Sequence, residues 1–359
     1  MKKIIAGLFC VILMISVAAC GGSTSSAPSE PDVDPNAALK SLFHGIYVLE
    51  ERAETFGEPV EGGGVFVPLR FNSDRLADYA TQENIPYGLC TTGVRLDFYT
   101  DAAEISFGFS ITDGYFDGDG QHPADTFDIY ENGEFAESVE VDKMGSVRKV
   151  EYTRTATEES RITVYFPTYH GVALYDIELG NARPVESYAY KILFLGDSIT
   201  QGLFADKVSD SYVSVVACEL QADYMNLAVG GEEFRADALD EEIGFTPDHI
   251  VICLGTNDVR RNHTSERLRS DCNAYFRRIR QIYKDTPVTV ISPYEPYGET
   301  FVKAIQEEAV GFEMNYIDGT TLLPYVQDRY YFDIVHPNST GFGMIAENLV
   351  PILKTHLEH

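Results

Sequence analysis

Basic residues are scarce in this 359-residue chain. Twenty-seven lysines and arginines stand against 56 aspartates and glutamates, a formal net charge of -29 at pH 7. Such a field repels phosphate backbones and acidic lipid surfaces, so nucleic acid is excluded as a partner. Cysteines are few, six in all, and Cys10 and Cys20 fall near the N-terminus. The other four, Cys90, Cys218, Cys253 and Cys272, form no CxxC pair and outline no compact disulfide framework. Cys253, inside the apolar run Ile250 to Leu254, reads as a buried free thiol. The eight histidines contain neither HxxxH nor HExxH, so no metal centre is expected, and no cofactor either. What is plentiful is apolar and aromatic: 44% of residues are hydrophobic, with 22 tyrosines and 21 phenylalanines. That composition suits a packed globular protein, and the length suits two domains.

The first nineteen residues read as a secretory signal. Lys2 and Lys3 precede the uncharged apolar stretch Ile4 to Val17, which is too short for a comfortable membrane span. It ends in Val17-Ala18-Ala19-Cys20, similar to a bacterial lipobox in which the Cys20 thiol receives a lipid. Residues 20–40, with Gly21-Gly22-Ser23-Thr24-Ser25-Ser26 and prolines at 28, 31 and 35, read as a flexible linker. The expected product is exported and held at the bacterial cell surface or in the periplasm through Cys20 alone.

Residues 41–184 follow a strand grammar. Val94 to Phe98 and Arg161 to Phe166 alternate apolar with polar, the period of a half-buried strand. Thr126 to Tyr130 and Phe135 to Val139 flank an Asn132-Gly133 turn, a strong hairpin signal. Ala173 to Leu179 is a further strand. Without a convincing helix, this region is expected to form an all-β, jelly-roll-type sandwich. After Pro184 the grammar changes. Short apolar runs at Ile192 to Leu195, Met225 to Ala228, Ile250 to Leu254, Val288 to Ile291 and Asn315 to Ile317 alternate with helical periods. The clearest helices are Ser265 to Tyr283 and Ser339 to Leu353. Residues 185–359 are therefore expected to form an α/β domain with a flavodoxin-like parallel sheet, whose ligands bind at the carboxyl ends of the strands.

Four loops fall at that edge. The first strand runs into Gly196-Asp197-Ser198-Ile199-Thr200. A serine after a strand is more often a turn former or helix cap than a nucleophile. The second strand is followed by Gly230-Gly231, where backbone N–H groups can approach a substrate closely. The third is followed by Gly255-Thr256-Asn257-Asp258, whose Asn257 is either a cap or an amide donor. Before the last helix stands Asp333-Ile334-Val335-His336-Pro337. Pro337 keeps His336 out of α conformation, and a carboxylate three residues upstream can orient one ring nitrogen and leave the other as a base.

Together these blocks resemble those of the SGNH (GDSL) hydrolase superfamily, in the family's order, from about Lys191 to the C-terminus. The resemblance implies a serine ester hydrolase in which Ser198 attacks a carbonyl, His336 moves the proton and Asp333 orients His336. It also implies an oxyanion hole made of the Ser198 and Gly231 N–H groups and the Asn257 amide, with Asp197 bracing the turn. Gly230 departs from the serine often found before the oxyanion glycine. Glu232-Glu233 follows it and is expected to open the next helix and face solvent.

A β-sandwich ahead of such a domain, on an exported chain, is similar to carbohydrate esterases of family two. It implies O-acetyl groups on a carbohydrate as substrate. Two alternatives share the sequence: a lipase, lysophospholipase or thioesterase on the same machinery, and a glycan-binding surface lipoprotein whose hydrolase domain is silent. Tyr294 and Tyr297, in the loop after the fourth strand, either stack on sugar rings or only pack the loop.

Overall fold

In the computed structural model, residues 36–52, 54–55, 58–59, 64–81, 85–114, 125–141 and 148–358 are described. The signal segment and Cys20 lie outside them. No helix among the described residues is long and apolar enough to cross a membrane.

The alternating segments pair into two antiparallel sheets. One has the order Phe43–His44, Arg95–Thr100, Ser160–Tyr165, Thr126–Glu131, Glu134–Glu140, with Arg183–Pro184 also on Arg95–Thr100. The other runs Arg148–Thr153, Glu104–Gly114, His170–Glu178, Val65–Leu69, Val48–Arg52. Asn132 and Gly133 both take positive φ, 53° and 83°, which matches the strand twist at the hairpin and is why Asn-Gly stands there. Between the sheets, Phe127 meets Phe107, Phe109 and Phe166 edge to face at 5.4, 4.8 and 5.1 Å, the favoured arrangement of buried rings.

Two helices in this half were not expected, Ser73–Thr81 and Ile85–Leu89. The first buries only Arg75 and Tyr79, too little for a periodic signal. Nine residues are also too few to hold a helix alone. Tertiary partners supply the rest: Tyr79 packs on Phe71 and Arg75 reaches Asp240 at 2.9 Å.

Downstream lies the parallel sheet, its strands labelled β1 Tyr190–Gly196, β2 Ala222–Asn226, β3 His249–Cys253, β4 Val288–Ile291 and β5 Asn315–Ile317, in the order β2-β1-β3-β4-β5. This is the flavodoxin-like order, with its switch point beside β1. Because side chains alternate along a strand, Ile192 and Phe194 join the core formed with helices Tyr212–Glu219 and Ser339–Leu357. Leu193 and Leu195 join the opposite one, formed with Ser265–Ile282 and Glu299–Gly311. Ser265–Ile282 buries Leu268, Cys272, Tyr275, Phe276 and Ile279 on its expected face, and Thr264 caps it. The last helix runs four residues past its expected end at Leu353 to Leu357, through Pro351, with Lys354 and His356 placed favourably for its dipole.

Residues 38–359 form one compact unit. Part of the outward face of the first sheet is covered by the α/β half. Arg95 and Asp97 are buried there, Arg95 pairing with Asp223 of β2 and Asp97 with Arg161. The described cysteines are free thiols, with Cys253 buried and Cys218 exposed.

Candidate active site

Ser198 stands at the switch point of the sheet. β1 ends at Gly196, where a Cβ would come within 2.2 Å of Thr200 Oγ1, so only glycine lets the chain turn this tightly. The Asp197 carboxylate accepts the Ile199 N–H at 3.0 Å as an N-cap, and Ser198 opens the short helix Ser198–Gln201. Asp197 is buried and burial raises its pKa to about 6. Its contacts are those of a brace. Ser198 is buried, with 8% of the residue exposed, and its Oγ lies 2.8 Å from His336 Nε2.

His336 sits in the loop before the last helix. Its Nδ1 is 2.8 Å from Asp333 Oδ2, and Asp333 Oδ1 accepts the backbone N–H groups of Val335 and His336 at 2.7 Å each. Partial burial works against the Asp333 charge, but those donors outweigh it and hold its pKa near 2. The carboxylate is therefore ionised at neutral pH, and it fixes the ring so that Nε2 faces the serine. Phe204, held at a φ of 70°, packs its ring 4.7 Å from His336 and stacks on Phe332 at 4.5 Å. Phe332 and Ile334, either side of Asp333, are 57% and 58% exposed, an apolar rim at the mouth of the site.

Gly231 follows β2 with a φ of 80°, a backbone state that glycine alone adopts without cost. The Asn257 amide donates to Glu232 O at 3.0 Å and makes a longer contact of 3.4 Å with Asp197 Oδ2. The structure therefore brings Asn257 beside the Glu232-Glu233 peptide and under the serine turn, where its amide donates to Glu232 O and touches Asp197.

The acidic pair after Gly231 departs from expectation. No helix begins at Glu232, and neither side chain points freely to solvent. Glu232 is buried near Arg235, and Glu233 pairs with Arg261 at 2.9 Å and His263 at 3.2 Å. Arg235, three residues along the chain, and Arg261, brought in by the fold, draw the two side chains inward. Tyr294 is 0% exposed and cannot stack on a ligand, whereas Tyr297 is half-buried. Glu233, Asp258 and His263 lie close together, with His263 Nε2 3.2 Å from Glu233 and Nδ1 3.7 Å from Asp258.

Burial pushes other carboxyls near the site upward, Asp258 to about 7 and Glu295 to about 8. Among the described residues neither Glu295 oxygen has a hydrogen-bond partner, and Tyr297 and Arg260 offset the burial only in part. A carboxyl pKa raised on folding means that the folded state binds more protons than the unfolded one. The Glu295 contribution to stability is then full below the unfolded value near 4.5 and is lost as pH rises from there through the folded value of about 8. Glu295→Gln is expected to raise the melting temperature at pH 8 by a few degrees and leave it nearly unchanged at pH 5. An unchanged or lowered melting temperature at pH 8 would contradict a neutral buried Glu295.

Residues 194–343 match the model of the GDSL-like Lipase/Acylhydrolase family. The fold is shared with a salicylyl-acyltransferase, SsfX3, from a tetracycline biosynthetic pathway, at 19% identity and a TM-score of 0.70 over 90% of this chain and 94% of that one. A GDSL-like lipase from Bacteroides ovatus gives 18% identity and 0.69 over 89% and 97%. A family two carbohydrate esterase from Clostridium thermocellum, an active-site mutant bound to a cello-oligosaccharide, gives 14% and 0.59 over 75% and 94%. The search of curated proteins returned no match.

Proposed function

From the premise that residues 194–343 form a GDSL-like lipase/acylhydrolase domain, the module of a carboxylic ester hydrolase, we propose that this protein is an exported serine esterase removing O-acetyl groups from polysaccharides or oligosaccharides. The observation that supports a hydrolytic role most directly is the chain Ser198 Oγ, His336 Nε2, His336 Nδ1 and Asp333 Oδ2, with 2.8 Å at each hydrogen bond. In this reading His336 takes the Ser198 proton as Oγ attacks the ester carbonyl, and Asp333 stabilises the imidazolium that forms. The N–H groups of Ser198 and Gly231 receive the oxyanion, joined by the Asn257 amide as it exchanges its 3.4 Å contact with Asp197 for the substrate oxygen; losing one such donor typically costs about 100- to 1000-fold in turnover. The imidazolium then protonates the leaving alcohol. Water, activated by the same ring, attacks the acyl-enzyme and releases the acid.

The acetylated-carbohydrate assignment draws on the fold shared with family two esterases, one of them bound to a cello-oligosaccharide, and on the expected export. The exposed Phe332 and Ile334 beside Asp333 favour a second reading, an esterase for longer or aromatic acyl groups. A panel of p-nitrophenyl esters of rising acyl length, run beside acetylated xylan and mannan, separates the two. Acetate release from polysaccharide with the highest rates on acetyl esters is expected. Activity confined to long acyl chains would overturn the acetyl assignment. The lipid anchor proposed on Cys20 is read from the same preparations: the protein should fractionate with bacterial membranes and Cys20→Ala should not.

A further inference from the structure

Arg70, at the end of the sandwich strand Val65–Leu69, is 2% exposed and has no salt-bridge partner among the described residues. All its hydrogen bonds go to backbone carbonyls. Nε donates to Cys90 O at 2.8 Å, Nη2 to Tyr87 O at 2.6 Å, and Nη1 to both Asn226 O and Ala228 O at 2.9 Å. Burial draws its pKa down to about 10, which still leaves it charged at neutral pH. A buried charge without a counter-ion is costly to keep, and here its donors tie the Tyr87–Cys90 segment to the turn that follows β2.

That turn carries Gly231. The peptide joining Ala228 to Val229 is held at both ends, its C=O by Arg70 and its N–H by Gly196 O at 3.1 Å. The peptide joining Asn226 to Leu227 is held the same way, its N–H by Phe194 O at 2.9 Å. Gly230 N–H donates to Gln201 Oε1 at 2.7 Å. A Cβ on Gly230 would come within 2.9 Å of the Tyr87 ring, so the sandwich takes the space a larger residue would need. One side of the loop is therefore registered on the serine strand and its helix, and the other on the sandwich.

We propose that Arg70 is a positioning residue for catalysis at Ser198. Its guanidinium orients the Asn226 and Ala228 peptides, and so aims the Gly231 N–H at the oxyanion. The β-sandwich thereby becomes a structural part of the catalytic machinery. This rests on the esterase reading of Ser198. It asks more than that reading, because it gives the N-terminal half a kinetic role.

The test uses the full chain with Arg70→Lys and Arg70→Met. Lysine keeps the charge but cannot reach four carbonyls in fixed directions. Folded protein is counted by circular dichroism and gel filtration. Turnover of p-nitrophenyl acetate and inhibition by a small boronic acid, whose serine adduct places a tetrahedral oxygen in the oxyanion hole, are then measured. Folded Arg70→Lys is expected to lose roughly 10- to 100-fold in kcat with little change in KM. Its boronate affinity should fall in parallel, which a merely structural role would not produce. Wild-type kcat per folded molecule in either variant overturns the inference, as does failure of both to fold, which would make Arg70 a folding residue only. Wild-type turnover in Ser198→Ala would instead remove the esterase reading itself, whatever Arg70 does.

Discussion

Ser198→Ala is expected to lower kcat on p-nitrophenyl acetate by about 10,000-fold or more, to the residue left by binding and the oxyanion donors alone. The magnitude follows from what the hydroxyl contributes. Without it no acyl-enzyme forms, and water must attack the ester directly without a positioned nucleophile. The fold should survive, because the substitution only removes one oxygen and breaks a single 2.8 Å hydrogen bond, to His336. The Asp197 cap on Ile199 N–H, which shapes the turn, does not involve the serine hydroxyl. The expected pair of results is an unchanged circular dichroism spectrum and turnover at the assay floor. Equal turnover in wild type and variant would return the protein to the class of silent glycan-binding lipoproteins.

His336→Ala is expected to cost about as much, and the double variant with Ser198→Ala no more than either single one. Residues that act as one unit are strongly non-additive. A serine hydroxyl without its base is a poor nucleophile at neutral pH, so removing the base already removes the benefit of the nucleophile. Here the base has one visible route to the serine, the Nε2 contact, while Nδ1 is committed to Asp333. The Asp333 carboxylate also accepts two backbone N–H groups of the same loop, so the loop keeps its shape when the ring is gone. Kinetics of both single variants and the double variant check this. Losses that multiply would show that the two side chains act independently and would contradict a shared proton-transfer unit.

Much of this was legible along the chain because the signals were local. Four strongly apolar runs became β1 to β4 within three residues at either end, since β-branched and aromatic residues buried on both faces leave few alternatives. The serine, the glycine and the Asp333-x-x-His336 pair each stand next to an element whose type was readable, so the strand-end rule was enough to gather them on one edge. The Ser73–Thr81 helix was not legible because its stability comes from Phe71 and Asp240 rather than from its own period. Glu232 and Glu233 read as solvent-facing because acidic side chains usually are; Arg235 and Arg261 reverse that by offering charge at close range.

By itself the sequence determined the class of fold, the order of the main strands and helices in the α/β half, and which of its residues could supply a nucleophile, a base and its orienter. Those are consequences of period, turn chemistry and residue type, and each acts over a few neighbours. Tertiary structure alone decided how the two halves meet. Nothing near Arg70 in sequence marks it, because its acceptors at Asn226 and Ala228 lie more than 150 positions away. A buried guanidinium is recognised only when the carbonyls around it are seen together. Chain order could place Gly231 after β2, but only the fold brings Arg70 and Tyr87 of the N-terminal half against that loop.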